Sequence, residues 1–254
     1  KIDMDGTAYL PRMDGTVCKL QGESVSAWLL KDRRTVVCLE KDGTLYMTTT
    51  DEGAAKTTIT DNVASVAQVR SNGLLYRDGE NYLYRYTFAD GETVRIGQTM
   101  DYTTAGNTLA TLASDEDGNI YVLTEQQTDR EKVGTCSDEN AKLELEGISD
   151  DGSAAVWTEV VKSKDKNKTG TCTIYLYEDG DRIKVGTVEA NSSYTYPKFA
   201  TDGSFTVIAN TSGSELYFKF RGEDIVTAKL GDKLSSSTMY TIDGKLTNDS
   251  DTFS

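Results

Sequence analysis

Residues 114–123, SDEDGNIYVL, read as a tight turn running into a strand. Aspartate and glycine tolerate the positive φ that short hairpin turns demand. Ile120, Tyr121, Val122 and Leu123 suit a pleated, half-buried surface. The same phrase recurs along the chain. Aligned on an apolar residue followed by tyrosine, six copies appear: GTAYLPR with Tyr9, GTLYMTT with Tyr46, NYLYRYT with Tyr84, GNIYVLT with Tyr121, CTIYLYE with Tyr175 and SELYFKF with Tyr217. The gaps are 37, 38, 37, 54 and 42 residues.

A spacing of roughly 40 residues filled with short strands is the sequence signature of a β-propeller, in which each repeat is one four-stranded blade. Each copy carries the other three strands. Two precede the tyrosine strand, as in VASVAQVRSNGLLYRDG and SYTYPKFATDGSFTVIAN. One follows it, as in TVCKLQG, KTTITDN, TVRIGQT, DRIKVGTV or DIVTAKLGD. Alternation within SFTVIAN places Phe205, Val207 and Ala209 on one face. Only two prolines occur, and no segment shows a helical period with caps.

The chain ends suggest how such a repeat would close. Tyr9 already lies in the third strand of a blade, whereas Ser254 falls 37 residues beyond Tyr217, where the next tyrosine strand is due. The expectation is an all-β, six-bladed propeller in a single domain over 1–254, with four-stranded antiparallel blades. The N-terminal strands would complete the C-terminal blade, which removes two open sheet edges. The expected blades are 235–254 plus 1–23, 24–62, 63–99, 100–139, 140–191 and 192–234.

The segments ISDDGSAAVW and FATDGSFTVI, each followed by a strand such as IYLY or LYFKF, resemble the repeats of TolB-like six-bladed propellers. They are also similar to bacterial surface domains of unknown function related to the low-density-lipoprotein-receptor propeller. The resemblance covers nearly the whole chain but marks turns and blades rather than a site. It implies a non-catalytic, extracytoplasmic binding or scaffolding module of a surface-anchored bacterial protein. The receptor-type YWTD signature is absent, so its ligand chemistry is not carried over.

Charge and composition narrow the partners. With 27 Lys and Arg against 41 Asp and Glu, the net charge is -14, which repels phosphate backbones and anionic lipid heads. Nucleic acid and direct membrane insertion are therefore not expected. No run approaches the roughly 20 apolar residues of a membrane span, and KIDMDGTAYL lacks the parts of a signal peptide. Lys1 reads as the start of an excised fragment whose anchor lay upstream. The partner expected is a protein or glycan ligand at the cell surface.

Catalytic signatures are sparse. The chain has no histidine, which removes the ordinary serine and cysteine triads as well as the usual zinc and haem motifs. There is no GxSxG elbow, no GxxxxGKS loop and no GxGxxG fingerprint. SDDGSAAVW approximates the Asp-box of propeller sialidases, but Gly152 and Trp157 fall out of place. The loops DEDGN and DMDGT place glycine too early for calcium, so hairpin geometry is the expected role of their aspartates. Neither metal nor cofactor is expected. Chemistry by paired carboxylates, as in glycoside hydrolysis, is the surviving enzymatic alternative, and a structural spacer in a cell-envelope assembly is the other.

Two candidate surfaces follow. Trp28, Tyr102, Tyr194, Tyr196 and Tyr240 fall at or near the start of a blade's first strand, which lines the channel of a propeller, where aromatic rings stack on sugars or hold apolar side chains. The competing reading is that they pack between blades. The other surface is KSKDKNKTGT, where Lys162, Lys164, Lys166 and Lys168 form the one basic stretch of an acidic chain. It is read as a long exposed hairpin loop, either simply solvated or a docking site for an acidic partner. Cys18, Cys38, Cys136 and Cys172 are even in number, compatible with Cys18–Cys38 and Cys136–Cys172 bridges or with buried free thiols.

Overall fold

The computed structural model describes residues 1–20, 22–165, 169–190, 195–200, 204–210, 215–229, 239–240 and 246–247. The described residues are all-β, and none forms a helix long and apolar enough to cross a membrane. The chain divides into two compact units, Lys1–Thr99 and Met100–Ser254.

The first unit opens with a two-stranded sheet, β1 (Ala8–Pro11) and β2 (Val17–Leu20). Two four-stranded antiparallel sheets follow. One holds β3 (Ser24–Leu29), β4 (Thr35–Glu40), β5 (Leu45–Thr49) and β6 (Thr57–Thr60), and the other β7 (Val63–Val69), β8 (Gly73–Asp78), β9 (Tyr82–Thr87) and β10 (Thr93–Gln98). In both, strands adjacent in sequence are adjacent in space, the up-and-down order of a propeller blade.

The second unit repeats this plan three times. Its sheets are β11 (Asp101–Thr104) to β12 (Thr111–Ser114), β13 (Asn119–Leu123) and β14 (Glu131–Thr135); β15 (Lys142–Ile148) to β16 (Ala154–Val161), β17 (Thr171–Glu178) and β18 (Asp181–Glu189); and β19 (Thr195–Phe199) to β20 (Phe205–Asn210), β21 (Glu215–Phe220) and β22 (Val226–Lys229). A two-stranded sheet, β23 (Met239–Tyr240) with β24 (Leu246–Thr247), follows.

Within each unit the sheets stack face to face, and the second strands show how. In β4, Val36 and Cys38 join Leu10, Cys18 and Tyr46 in one core. Val37 and Leu39, pointing the other way, join Leu45, Val63, Leu74 and Tyr76 in the next. Strand β16 does the same, with Ala155 and Trp157 facing the sheet before it and Ala154 and Val156 the sheet after. Period-2 geometry thus divides one apolar run between two cores, which is why TVVCLE and AAVWTEVV read as continuous rather than alternating.

The repeated tyrosine marks a specific irregularity. Opposite the apolar-tyrosine pair, the fourth strand of four sheets carries one extra residue: Ile59, Ile96, Val133 and Val185. A bulge of this kind bends the strand and strengthens its twist, and the extra apolar side chains Ile59, Val133 and Val185 pack on the inter-sheet cores. The tyrosine rings are covered by cations, with Lys56 4.3 Å from the Tyr46 centroid, Arg130 3.8 Å from Tyr121 and Arg182 4.0 Å from Tyr175. Such a contact contributes about 0.5–1 kcal/mol at an exposed site and about 2 kcal/mol when desolvated, and Tyr46 is buried.

The Asp-Gly pairs serve the turns. Asp14, Asp42, Asp90 and Asp151 each accept the backbone N–H two residues on, at 2.9, 2.9, 3.0 and 3.0 Å. The intervening Gly15, Gly43, Gly91 and Gly152 lie at φ of 83°, 90°, 73° and 76°. Hydrogen bonds to the ionised form hold all four carboxyls below the usual aspartate range; for Asp14 and Asp90 the largest cause is the threonine hydroxyl, and for Asp42 the Thr44 N–H. For Asp151 desolvation is the largest single effect and opposes the shift, but its hydroxyl and N–H donors outweigh it.

All four cysteines are free, with Cys18, Cys38 and Cys172 buried and Cys136 half-buried. The thiols of Cys18, Cys38 and Cys172 are core side chains, and neither bridge considered from the sequence is formed.

Candidate functional site

The first strands of the three successive sheets β11–β14, β15–β18 and β19–β22 lie side by side. Where their ends meet they leave a crevice of about 310 Å³. Thr103 and Thr104 of β11, Asn107 of the following turn, Glu146 of β15, Asp150 of the turn after it, and Phe199 of β19 are among the residues lining it. Polar groups therefore stand on two sides of the crevice, and on the third an aromatic wall with Lys198 beside it.

Glu146 owes its position to backbone geometry. In the pairing of β15 with β16, Leu145 faces Trp157 and Gly147 faces Val156, so Glu146 is the extra residue of a β-bulge. Without the bulge, the alternation of Leu143, Glu144, Leu145 and Glu146 would continue regularly; the extra residue re-aims the side chain. Gly147 lets the neighbouring sheet approach, because a Cβ there would stand 3.1 Å from Pro197 Cγ and 3.2 Å from Phe199 Cε2.

The Glu146 carboxyl is half-buried and accepts a hydrogen bond from Thr158 Oγ1 at 2.9 Å. Burial is the main cause that pushes its pKa up, to about 7, with the Glu144 charge adding to the rise; the Thr158 hydrogen bond and Lys142 oppose it. Lys142 itself is held by Glu144 at 2.7 Å. Asp150 is committed differently, accepting the Asn107 backbone N–H at 2.9 Å and its Nδ2 at 2.7 Å. Among the described residues neither crevice carboxyl has a cationic partner at bonding distance, but Asp150 is held by two Asn107 donors and Glu146 by the Thr158 hydroxyl.

This has a consequence for stability. A carboxyl whose folded pKa lies above its unfolded value binds its proton more tightly when folded, so its favourable contribution is full below about pH 4.5 and is lost as pH rises through about 7. Glu146→Gln keeps an acceptor for Thr158 and removes the titration. Urea unfolding is expected to show the variant more stable than the parent at about pH 8 by on the order of 3 kcal/mol, with the difference vanishing in acid. An equal difference at both pH values would mean that the carboxyl is fully solvated.

The residues expected from the sequence fall as follows. Tyr102 is half-buried on β11, and its neighbours Thr103 and Thr104, not Tyr102 itself, line the crevice. Trp28 on β3 packs against the core shared by β3–β6 and β7–β10. Tyr194 lies outside the described residues, as do the side chains of Tyr196 on β19 and Tyr240 on β23. Lys162 and Lys164 are exposed in the connection between β16 and β17, and Lys166 and Lys168 lie outside the described residues. Two of the first strands picked out by their aromatic residues, β11 and β19, do border the crevice, but its polar groups went unnoticed. The signal for Glu146 was available: in KLELEGIS a glutamate is followed at once by glycine, where alternation breaks.

A second cavity, of about 440 Å³, lies in the first unit between β2 and the β5–β6 turn. Three of its charged groups are already engaged. Arg12 Nε donates to the Thr50 carbonyl at 2.7 Å, Lys56 pairs with Glu40 at 2.6 Å, and Asp51 pairs with Arg34 at 2.7 Å.

No protein-family model matches the chain. No curated protein matches its sequence. Solved structures similar to it include an oligogalacturonate lyase in complex with manganese, at 15% identity over 85% of this chain and 68% of that one, with a TM-score of 0.43. The tricorn protease is similar at 11% identity over 82% of this chain, with a TM-score of 0.45; this chain spans 22% of its length. The WD40 domain of Toxoplasma gondii coronin is similar at 14% identity over 87% of this chain and 63% of that one, with a TM-score of 0.39.

Proposed function

We propose that the chain is a six-bladed β-propeller in which β1 and β2 complete the sheet begun by β23 and β24, and that it works as a non-catalytic, extracytoplasmic binding module. Its ligand site is the crevice at the ends of β11, β15 and β19. One observation carries the reading: first strands, which face the channel of a propeller, here converge on a concavity with a re-aimed carboxyl, amide and hydroxyl groups and an aromatic wall. A few convergent polar groups beside apolar surface is the usual composition of a ligand pocket. The protein or glycan ligand is identified by array screening of the purified chain, followed by amide-shift mapping. Shifts concentrated at Asn107, Gly147 and Phe199 are the expected result, and a ligand that leaves these amides unmoved overturns the assignment. Ring closure is tested separately, by cross-linking cysteines placed in β1 and β24.

A catalytic alternative draws on the Glu146 carboxyl, which is partly protonated near neutral pH as a general acid must be. It requires a second carboxylate flanking the scissile bond, and the other carboxyl lining the crevice, Asp150, is engaged by Asn107. Release of reducing ends from array-positive glycans, lost in Glu146→Gln, would favour it over simple binding.

A further inference from the structure

We propose that the crevice receives an ammonium or guanidinium group carried on an apolar stem, such as a lysine or arginine side chain of a protein ligand, with Glu146 as its counter-charge and Phe199 and Pro197 as the wall for the stem. This rests on the reading of the crevice as the ligand site, and adds the chemistry of what enters it.

The charge inventory supplies the first argument. The titratable groups around Glu146 are Lys142 and Glu144 on its own strand, Asp150 in the turn after it, and Lys198 on β19; β16 contributes the neutral Thr158. With Glu146 included, three carboxyls stand against two ammonium groups. Lys142 is taken by Glu144 at 2.7 Å, and Asp150 is turned to Asn107. Among the described residues Glu146 forms no ion pair, Lys198 included, so it presents a half-buried carboxyl to a concave site, where an incoming cation gains from pairing.

Shape supplies the second argument. The bulge aims the carboxyl and Gly147 removes the side chain beside it, so that the ring of Phe199 and the ring of Pro197 close to van der Waals distance of the strand. An alkyl stem ending in a cation matches an apolar wall followed by a carboxylate. A neutral polyol leaves the carboxylate unpaired, and an anion is repelled by it. The acidity of the whole chain, at net charge -14, raises the local concentration of cationic ligands.

Binding of a cation favours the ionised form of Glu146, so capture is coupled to proton release. With the carboxyl titrating at about 7, apparent affinity is expected to rise by up to about tenfold between about pH 6 and about pH 8.

The test is calorimetry and amide-shift mapping on the full chain with three probes: lysine blocked at both backbone ends, the same compound acetylated at Nζ, and n-butylammonium. The blocked lysine is expected to shift Gly147 and Phe199, to bind more tightly at the higher pH and to lose about tenfold in affinity in Glu146→Gln at that pH, with the pH dependence abolished. Lys198→Gln is expected to bind as well or more tightly. Thermal unfolding of each variant confirms the fold. If n-butylammonium binds equally, a free amine suffices as ligand; if it binds more weakly, a peptide side chain is selected. Equal binding of the Nζ-acetylated probe, or indifference to Glu146→Gln, overturns the cation proposal while leaving the crevice as a site. Perturbation of residues elsewhere, with the crevice amides silent for every probe and every array ligand, removes the site itself.

Discussion

Lys219→Ala is expected to destabilise the second unit by about 3–5 kcal/mol, read as a fall in the urea midpoint with unchanged slope. Lys219 sits on β21 and Glu178 on β17, in neighbouring sheets. Their Nζ and Oε2 atoms are 2.6 Å apart, with side chains only 8% and 9% exposed. The ammonium also donates to the Phe220 carbonyl at 3.0 Å. Truncating the lysine leaves a desolvated carboxylate with little more than a weak 3.5 Å contact to the Gly222 N–H, and that uncompensated charge dominates the cost. Replacing both members, Lys219→Met with Glu178→Leu, removes the charge together with its partner and is expected to cost less than either single truncation. If Lys219→Ala cost under about 1 kcal/mol, as exposed pairs do, the pair would have to be solvated.

Trp157→Ala is expected to cost about 3–5 kcal/mol, the usual penalty for removing a large buried aromatic side chain. Trp157 is 0% exposed and sits in the core between β11–β14 and β15–β18 with Leu112, Ile120 and Val122. Its ring stacks on Tyr175 at 5.7 Å, and Gly134 exists to admit it, since a Cβ there would lie 3.2 Å from Trp157 Cζ2. Because Trp157 Nε1 is buried without a hydrogen-bond partner among the described residues, Trp157→Phe deletes a donor that lacks one along with part of the volume, and its cost is expected to be well below that of alanine. Gly134→Ala is expected to destabilise the parent but to be tolerated when Trp157 is alanine. The coupling from a double-mutant cycle measures the inter-sheet contact directly, and strict additivity would place the two residues out of contact.

Both residues show what kind of information a sequence read by pattern carries. In the sequence Trp157 stands out only as a misplaced member of a broken Asp-box, whereas in the structure it fills the space opposite Gly134. Lys219 and Glu178 lie 41 residues apart in sequence, and nothing local to either announces the other. The turns were more transparent. Asp14, Asp42, Asp90 and Asp151 spend their carboxylates on their own turn N–H groups, as the position of the following glycine suggested. The tyrosine repeat was legible as a repeat, yet its meaning as the mark of a β-bulge emerges only from the pairing of Ile59, Ile96, Val133 and Val185 against it.

The candidate site divides along the same line. Strand order points to the first strands as the lining of a channel, and Tyr102 and Tyr196 lie on two of the strands that border the crevice, β11 and β19. That the crevice would be polar, and centred on Glu146, depended on a one-residue slip between β15 and β16 and on how closely Phe199 approaches Gly147.

Strand identity, turn position and the four-strand unit were settled by the chain alone, because they rest on interactions between residues a few positions apart: alternation, β-branching and Asp-Gly geometry. Register, bulges, buried charge pairs and the environment that pushes Glu146 up to about 7 were decided by the pairing of strands and the stacking of sheets. Those properties depend on which atoms are brought together from distant repeats and on how much water is excluded between them, and a linear pattern encodes neither.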